Sequence, residues 1–290
     1  MLTFCVNEHY VSNDINAGHH AKLLFICKAE GKEAAIPRIM HRHEERIELL
    51  FIVQGEGVYN INGRRYNVKR GDLLVFNAGV LHDENPLASD DLLVFSCGVD
   101  QLQLEGLPIN HLCSFSQAAV MPAGNNYDEI CTIFNLMWKH VIAKQPHYSE
   151  IGNSFLKVLL IIYRRVWDDN KEVLLTTNEA IGQKIKGFID NNYKDEIIFN
   201  TLTTELNMNR FYLAHLFKAY SGYSPKHYQT RRRIGEAQSL LLSTDLGVTE
   251  VANAVGYDNV NNFHRIFHNL VGIPPAKYKK FWLTGQVKAG

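Results

Sequence analysis

The stretch VTEVANAVGYDNVNNFHRIFHNLVGIPPAKY, residues 248–278, contains a pattern that also occurs fifty residues earlier. Setting FHRIFHNLVGIPPAKY (263–278) beside LAHLFKAYSGYSPKHY (213–228) aligns Phe267 with Phe217, Gly272 with Gly222, Pro275 with Pro225 and Tyr278 with Tyr228. Upstream, Val251, Val255 and Asp258 align with Leu202, Leu206 and Asn209 at an offset of forty-nine, so one residue is inserted. Four matches at one offset identify a repeated supersecondary unit. Apolar spacing makes each unit a short helix, a tight turn and a longer helix, the pattern of a helix-turn-helix. Asn200 and Asn209 are the expected caps in the first unit, and Asp258 in the second.

In such a unit the second helix enters the major groove and its first residues meet base edges. With Leu213, Leu216, Phe217 and Tyr220 turned inward, the first unit presents Arg210, Phe211, Ala214, His215 and Lys218. With Phe263, Ile266, Phe267 and Leu270 turned inward, the second presents Asn261, Asn262, His264 and Arg265. Arg pairs with guanine and Asn with adenine, so these faces suit double-stranded DNA. An ordinary solvated helix face is the alternative, and the duplication argues against it. Ser224-Pro225 opens a connecting helix to about Ser243, roughly 28 Å long at 1.5 Å per residue. Such a rod holds the two reading helices about one DNA turn apart. Of Arg231, Arg232 and Arg233 on it, some are expected to face phosphate.

The charge is divided in the same way. Formal net charge is zero, yet residues 180–290 carry 14 Lys+Arg against 8 Asp+Glu, leaving 16 against 22 in residues 1–179. Only the C-terminal half therefore suits a polyanion. A length of 290 residues, 46% hydrophobic, allows two cores. Residues 1–120 form the first unit, and from residue 20 they read as β: short branched and aromatic runs separated by turns, with Asn62-Gly63 placed for a type I′ hairpin. Residues 121–167 read as a helical hairpin broken at Gln145-Pro146-His147, which covers the β unit and dimerises the chain. Residues 168–178 read as a linker and 179–290 as all helix, with the repeated units near 200–221 and 248–271. The fold class is therefore α+β in two domains.

No apolar run is long enough to cross a membrane, and MLTFCVNEHY lacks the pattern of a signal peptide. Five scattered cysteines without C-x-x-C spacing argue against a disulfide framework and for a cytoplasmic protein. In MHRHEERIELLF (40–51), His41, His43 and Glu48 offer donors that can hold a divalent metal.

Residues 180–282 resemble the DNA-binding domain of the AraC/XylS family of bacterial transcription regulators. The likeness rests on LTTELNMNRFYLAHLFKAYSGYSPKHYQTRRRIGEAQSLL and, more specifically, on G-Y-D-x-x-x-F-x-R-x-F-x-x-x-x-G-x-x-P-x-x-Y in the second unit. It implies base-reading positions at Phe211, Ala214 and His215, and at Asn261, Asn262 and Arg265. Ala214 departs from the pattern because it cannot hydrogen-bond, and Thr203 replaces a usual small Ala. The front half resembles a cupin barrel, on His41-x-His43-x4-Glu48-x6-Gly55 and Gly71-x5-Asn77-x-Gly79-x2-His82, with Asn77 where Pro is common.

That resemblance puts His41, His43, Glu48 and His82 at the four ligand positions of metal cupins. Three roles stay open for them: a metal-free effector pocket bonding sugar-like hydroxyls, a site for one divalent transition metal, or a catalytic centre. No further acid–base pair supports an enzyme. The resemblance implies a ligand-responsive regulator, an activator by family habit, acting as a homodimer with RNA polymerase and sensing a small molecule such as a carbohydrate. It also implies that residues 1–20 close over the pocket. A metal-dependent cupin enzyme carrying a DNA-binding tail, and a ligand-independent architectural DNA binder, are the rival readings.

Overall fold

The computed structural model describes residues 4–7, 21–30, 39–85, 89–114, 117–144, 146–168, 176–195 and 199–283. Among the described residues, nine strands lie in the first half: β1 (Phe4–Asn7), β2 (Lys22–Glu30), β3 (Ile47–Gln54), β4 (Glu56–Ile61), β5 (Arg64–Lys69), β6 (Asp72–Phe76), β7 (His82–Asn85), β8 (Leu93–Asp100) and β9 (Val120–Pro122). They form a six-stranded sheet, β1-β2-β8-β3-β6-β9, and a three-stranded sheet, β5-β4-β7. All pairs are antiparallel. The β4–β5 connection is Asn62-Gly63 with φ of 52° and 78°, the two positive values that a type I′ turn requires. Apart from β1, the segment 1–20 expected to cover the pocket lies outside the described residues.

Strand alternation explains how one sheet serves two cores. On β3, Leu50 and Ile52 point between the sheets and join Tyr59, Ile61, Leu74, Phe76 and Val94. Leu49 and Phe51 point the other way, toward α1 (Tyr127–Ala143) and α2 (Tyr148–Asp168), where they meet Phe134, Leu159 and Tyr163. The helical hairpin therefore covers the outer face of the large sheet. The last strand reaches Pro122, just past the boundary drawn at 120.

Between the two halves, residues 169–175 of the expected linker lie outside the described residues. Thr176 then caps α3 (Thr177–Asn192) in a reciprocal arrangement with Glu179. The rest is helical: α4 (Phe199–Leu206), α5 (Arg210–Ser221), α6 (Pro225–Ser243), α7 (Val248–Ala254), α8 (Val260–Val271) and α9 (Pro275–Leu283). Two caps differ from expectation. Helix α4 already includes Asn200, so that residue is not its cap. Asn259, not Asp258, caps α8, its side chain accepting from the Asn262 amide as Asn209 accepts from Tyr212. Caps and reading helices thus match at an offset of fifty, and the inserted residue sits in the turn ahead of the cap. Gly256 in that turn has φ 87°, and a Cβ there would collide with the Lys194 carbonyl.

Disulfide chemistry departs from expectation too. Cys27 is disulfide-bonded, whereas Cys97, Cys113 and Cys131 are free. The β1–β2 register sets Cys5 opposite Cys27, a neighbourhood that linear spacing does not reveal.

Candidate functional site: two reading helices and a histidine cluster

Each reading helix exposes its first turn and buries its stripe. On α5, Leu213, Leu216 and Phe217 are buried, while Arg210, Phe211, His215 and Lys218 are exposed and Ala214 is half-buried. On α8, Phe263 and Phe267 are buried, Asn261, Asn262 and Arg265 are exposed, and His264 is half-buried. Arg265 donates to Asn262 Oδ1 at 2.9 Å, so one exposed turn of helix carries a hydrogen-bonded polar pair. At the fifty-residue offset, Phe211 corresponds to Asn261, Tyr212 to Asn262 and His215 to Arg265. The sequence reading omitted Tyr212, which is 46% exposed. The repeat itself held the signal, since Asn262 was singled out.

None of the three arginines on α6 faces outward as a phosphate ligand. Arg231 grips Asp83, Arg232 binds Glu236 over the Tyr193 ring, and Arg233 donates to the carbonyls of Tyr193, Lys194, Asp195 and Gly256. Arg233 thereby ties the end of α3 to the turn of the second unit. These carbonyls, at the C-cap of α3 and just past the ends of α3 and α7, want donors, which a guanidinium supplies in a fork.

The other cluster lies in the first domain, with Glu48 on β3, His82 on β7, and His41 and His43 on the segment leading into β3. An isolated bridge pairs His41 with His82 through both backbone bonds, at 3.0 and 2.9 Å. Ring centroids lie 4.2 Å apart for His41–His82, 5.0 Å for His41–His43 and 5.6 Å for His43–His82. One ring nitrogen from each falls within 4.8 Å of the others. Glu48 enters from β3 on the same side as Leu50 and Ile52. Its carboxylate lies 3.0 Å from His43 Nε2 and 3.9 Å from His82 Nε2. The structure therefore brings together all four residues singled out in sequence. His82 stacks on Phe76, and its Nδ1 donates to the Val80 carbonyl at 3.0 Å, which turns Nε2 inward.

Arg46, which sequence reasoning passed over, also occupies this site. Its guanidinium donates to Glu48 Oε1 through Nε and Nη2, both at 2.9 Å, and Nη2 is 2.9 Å from His43 Nε2. That nitrogen serves one neighbour at a time: protonated it donates to Glu48, and bare it accepts from Arg46. Burial alone would raise the Glu48 carboxyl. The His43 hydrogen bond and the charges of His43, Arg46 and His82 outweigh it and hold the group well below its ordinary value.

The next residue along β7 faces the other half of the molecule. Both Asp83 oxygens accept from Arg231 at 2.7 Å, and Tyr223 adds its hydroxyl at 3.3 Å. Asn60 donates to the Ser221 carbonyl, the Ile39 amide donates to Gln238, and Arg64 pairs with Glu179 at 2.7 Å. A cavity of about 50 Å³ lies in this contact region, lined by Arg64, Tyr66, Asn77 and Val80 on one side and by Gln183 and Tyr220 on the other.

Comparison with known proteins agrees with both halves. The model of the AraC-like ligand-binding domain matches residues 28–160, and that of a helix-turn-helix domain matches residues 202–280. Similar proteins include the HTH-type transcriptional regulator YdiP of Escherichia coli, 26% identical over 245 residues, or 83% of this chain and 80% of that one. The lactose operon transcription activator of Staphylococcus xylosus is 24% identical over 259 residues, 86% of this chain and 90% of that one. The raffinose operon transcriptional regulatory protein RafR of Pediococcus pentosaceus is 22% identical over 284 residues, 91% and 95% of the two chains. With a ligand-binding domain ahead of two matched reading helices, the chain belongs to the AraC family of DNA-binding transcriptional regulators.

Proposed function

We propose that the protein is a cytoplasmic, ligand-responsive activator, not an enzyme, whose first domain binds a saccharide and sets the DNA affinity of the second. One observation carries the reading: His82 and Asp83 are neighbours on β7, the first in the histidine cluster and the second bonded to Arg231 of the reading domain. A strand sends successive side chains to opposite faces, so a ligand that shifts His82 also shifts the grip on α6. Such a ligand acts only if it binds one arrangement of the halves better than the other.

The saccharide assignment draws on the lactose and raffinose regulators and on the chemistry of the site. His41, His43, Glu48 and His82 supply hydroxyl partners, and the Val80 carbonyl links them to the cavity that Tyr66, Arg64, Gln183 and Tyr220 line. At roughly 10–15 Å³ per water, about 50 Å³ holds about four waters. A monosaccharide therefore has to widen the cavity, which pushes α3 and α5 away from the β sheets. The activator acts as a homodimer and engages RNA polymerase.

The test is a thermal-shift screen of the full chain against lactose, raffinose and their component sugars, followed by DNA binding with and without the hit. A sugar that raises the melting temperature and changes DNA affinity, both lost in Glu48→Gln, supports the reading. A melting temperature unmoved by every sugar counts against it.

A second reading has one specific observation in its favour, the three ring nitrogens within 4.8 Å. Around a tetrahedral ion at about 2.0–2.1 Å, ligand nitrogens sit about 3.4 Å apart, so a small contraction suits a divalent transition metal. Arg46 already neutralises Glu48 and has to leave before that carboxylate becomes the fourth ligand. Elemental analysis of untagged protein purified without chelator decides: one metal per chain, lost in His43→Ala, selects this reading.

A further inference from the structure

The two reading helices share one backbone frame and differ in surface chemistry. Both start after an Asn cap, both bury an aromatic at the eighth residue, and both end on a glycine with positive φ. Yet where α8 presents Asn261, α5 presents Phe211, which is 87% exposed and the most exposed large apolar residue described. Around it stand the half-buried Ala214 and the partly exposed Tyr212. A large apolar group held in water at a recognition position marks a surface that is covered in the working complex. In the major groove one apolar group is available to cover it, the 5-methyl of thymine.

We infer that Phe211 reads a thymine methyl, so that α5 recognises a thymine-bearing half-site by apolar contact while α8 recognises adenine and guanine by hydrogen bonds. The placement follows from the equivalence of Phe211 with Asn261: the same position reads a methyl in one unit and an amide edge in the other. The small Ala214, one turn along, leaves room for the methyl beside the ring. Asn262, held by Arg265, has its counterpart in Tyr212, so where α8 carries a paired amide α5 carries an aromatic side chain. This inference rests on the DNA-binding reading of α5 and α8, and the test separates the two.

Full-length protein selects duplexes from a random library, and each dT of the selected site is then replaced by dU, which removes only the methyl. One dU under α5 should weaken wild type about fourfold, equivalent to ~0.8 kcal/mol for one buried carbon group. The effect should persist in Phe211→Leu and vanish in Phe211→Ala. Phe211→Asn should move the preference at that base pair from thymine to adenine. Because the side chain lies in solvent, all three variants should melt with wild type. Equal dU responses in wild type and Phe211→Ala overturn the inference while leaving DNA binding intact. Failure to select any duplex overturns the DNA-binding reading, and the inference with it.

Discussion

Asp83 and Arg231, 148 residues apart in sequence, form a buried two-pronged ion pair between the β sheets and α6. With both side chains out of water, removing one partner leaves a buried charge unmatched. Arg231→Ala should therefore lower unfolding free energy by about 3–5 kcal/mol, measured by urea denaturation. Replacing both partners with apolar residues of similar volume should restore most of it. A single variant as stable as wild type would show that the pair holds nothing together.

Glu48 gives a pH signature. Its folded pKa is depressed, so its contribution is complete above the unfolded value, about 4.3, and is lost as pH falls through the folded one. At pH 7, Glu48→Gln should be less stable than wild type by about 1–3 kcal/mol. The gap should narrow steadily as the pH drops from 5 toward 3. Urea midpoints for both proteins across that range check the sign, and a constant gap refutes it.

Helix α6 packs through Gly235 against bare backbone. A Cβ at that position would collide with the Ile39 and Met40 carbonyls. Gly235→Val should cost about 1–3 kcal/mol by overpacking and loosen the contact between the halves. Hydrogen exchange at the Ile39 amide, which donates to Gln238 at 2.8 Å, reports that loosening directly. Unchanged protection there would contradict the packing argument.

Arg265 is expected to read a base. Arg265→Ala should weaken binding to the selected operator by about 1–3 kcal/mol and relax the preference at one base pair. An equal loss on every sequence, with a shallower salt dependence, would mark Arg265 as a phosphate contact instead.

The parts of this molecule that were legible in the sequence have short-range causes. The Asn62-Gly63 turn, the Ser224-Pro225 helix start and the repeated Phe-Gly-Pro-Tyr frame are each fixed by a few adjacent residues. The His41–His43–Glu48–His82 cluster was legible through the cupin pattern, not through alternation, because residues 42–46 leave the strand before β3 and an odd spacing along a continuous strand would turn Glu48 away from both histidines. What escaped reading depends on the meeting of distant segments. Arg231 looked like a phosphate ligand because nothing near it in sequence announces Asp83. Arg46 carries no spacing signal of its own, although its guanidinium lies on two of the four clustered side chains. Asp258 looked like the cap because the inserted residue could be placed on either side of it.

The unlike faces of α5 and α8 give the protomer an orientation along DNA. A reader whose two helices matched in chemistry and were related by a two-fold axis could be turned end for end on its site and bind as well. Here Phe211 stands where Asn261 does, so turning the protein round sets each helix on the wrong letters. The single 19-residue rod of α6 joins the helices in a fixed order. On the proposed roles of Phe211 and Asn261, each bound copy points one way along the duplex, and the spacing and direction of neighbouring sites decide which of its surfaces faces the start of the gene.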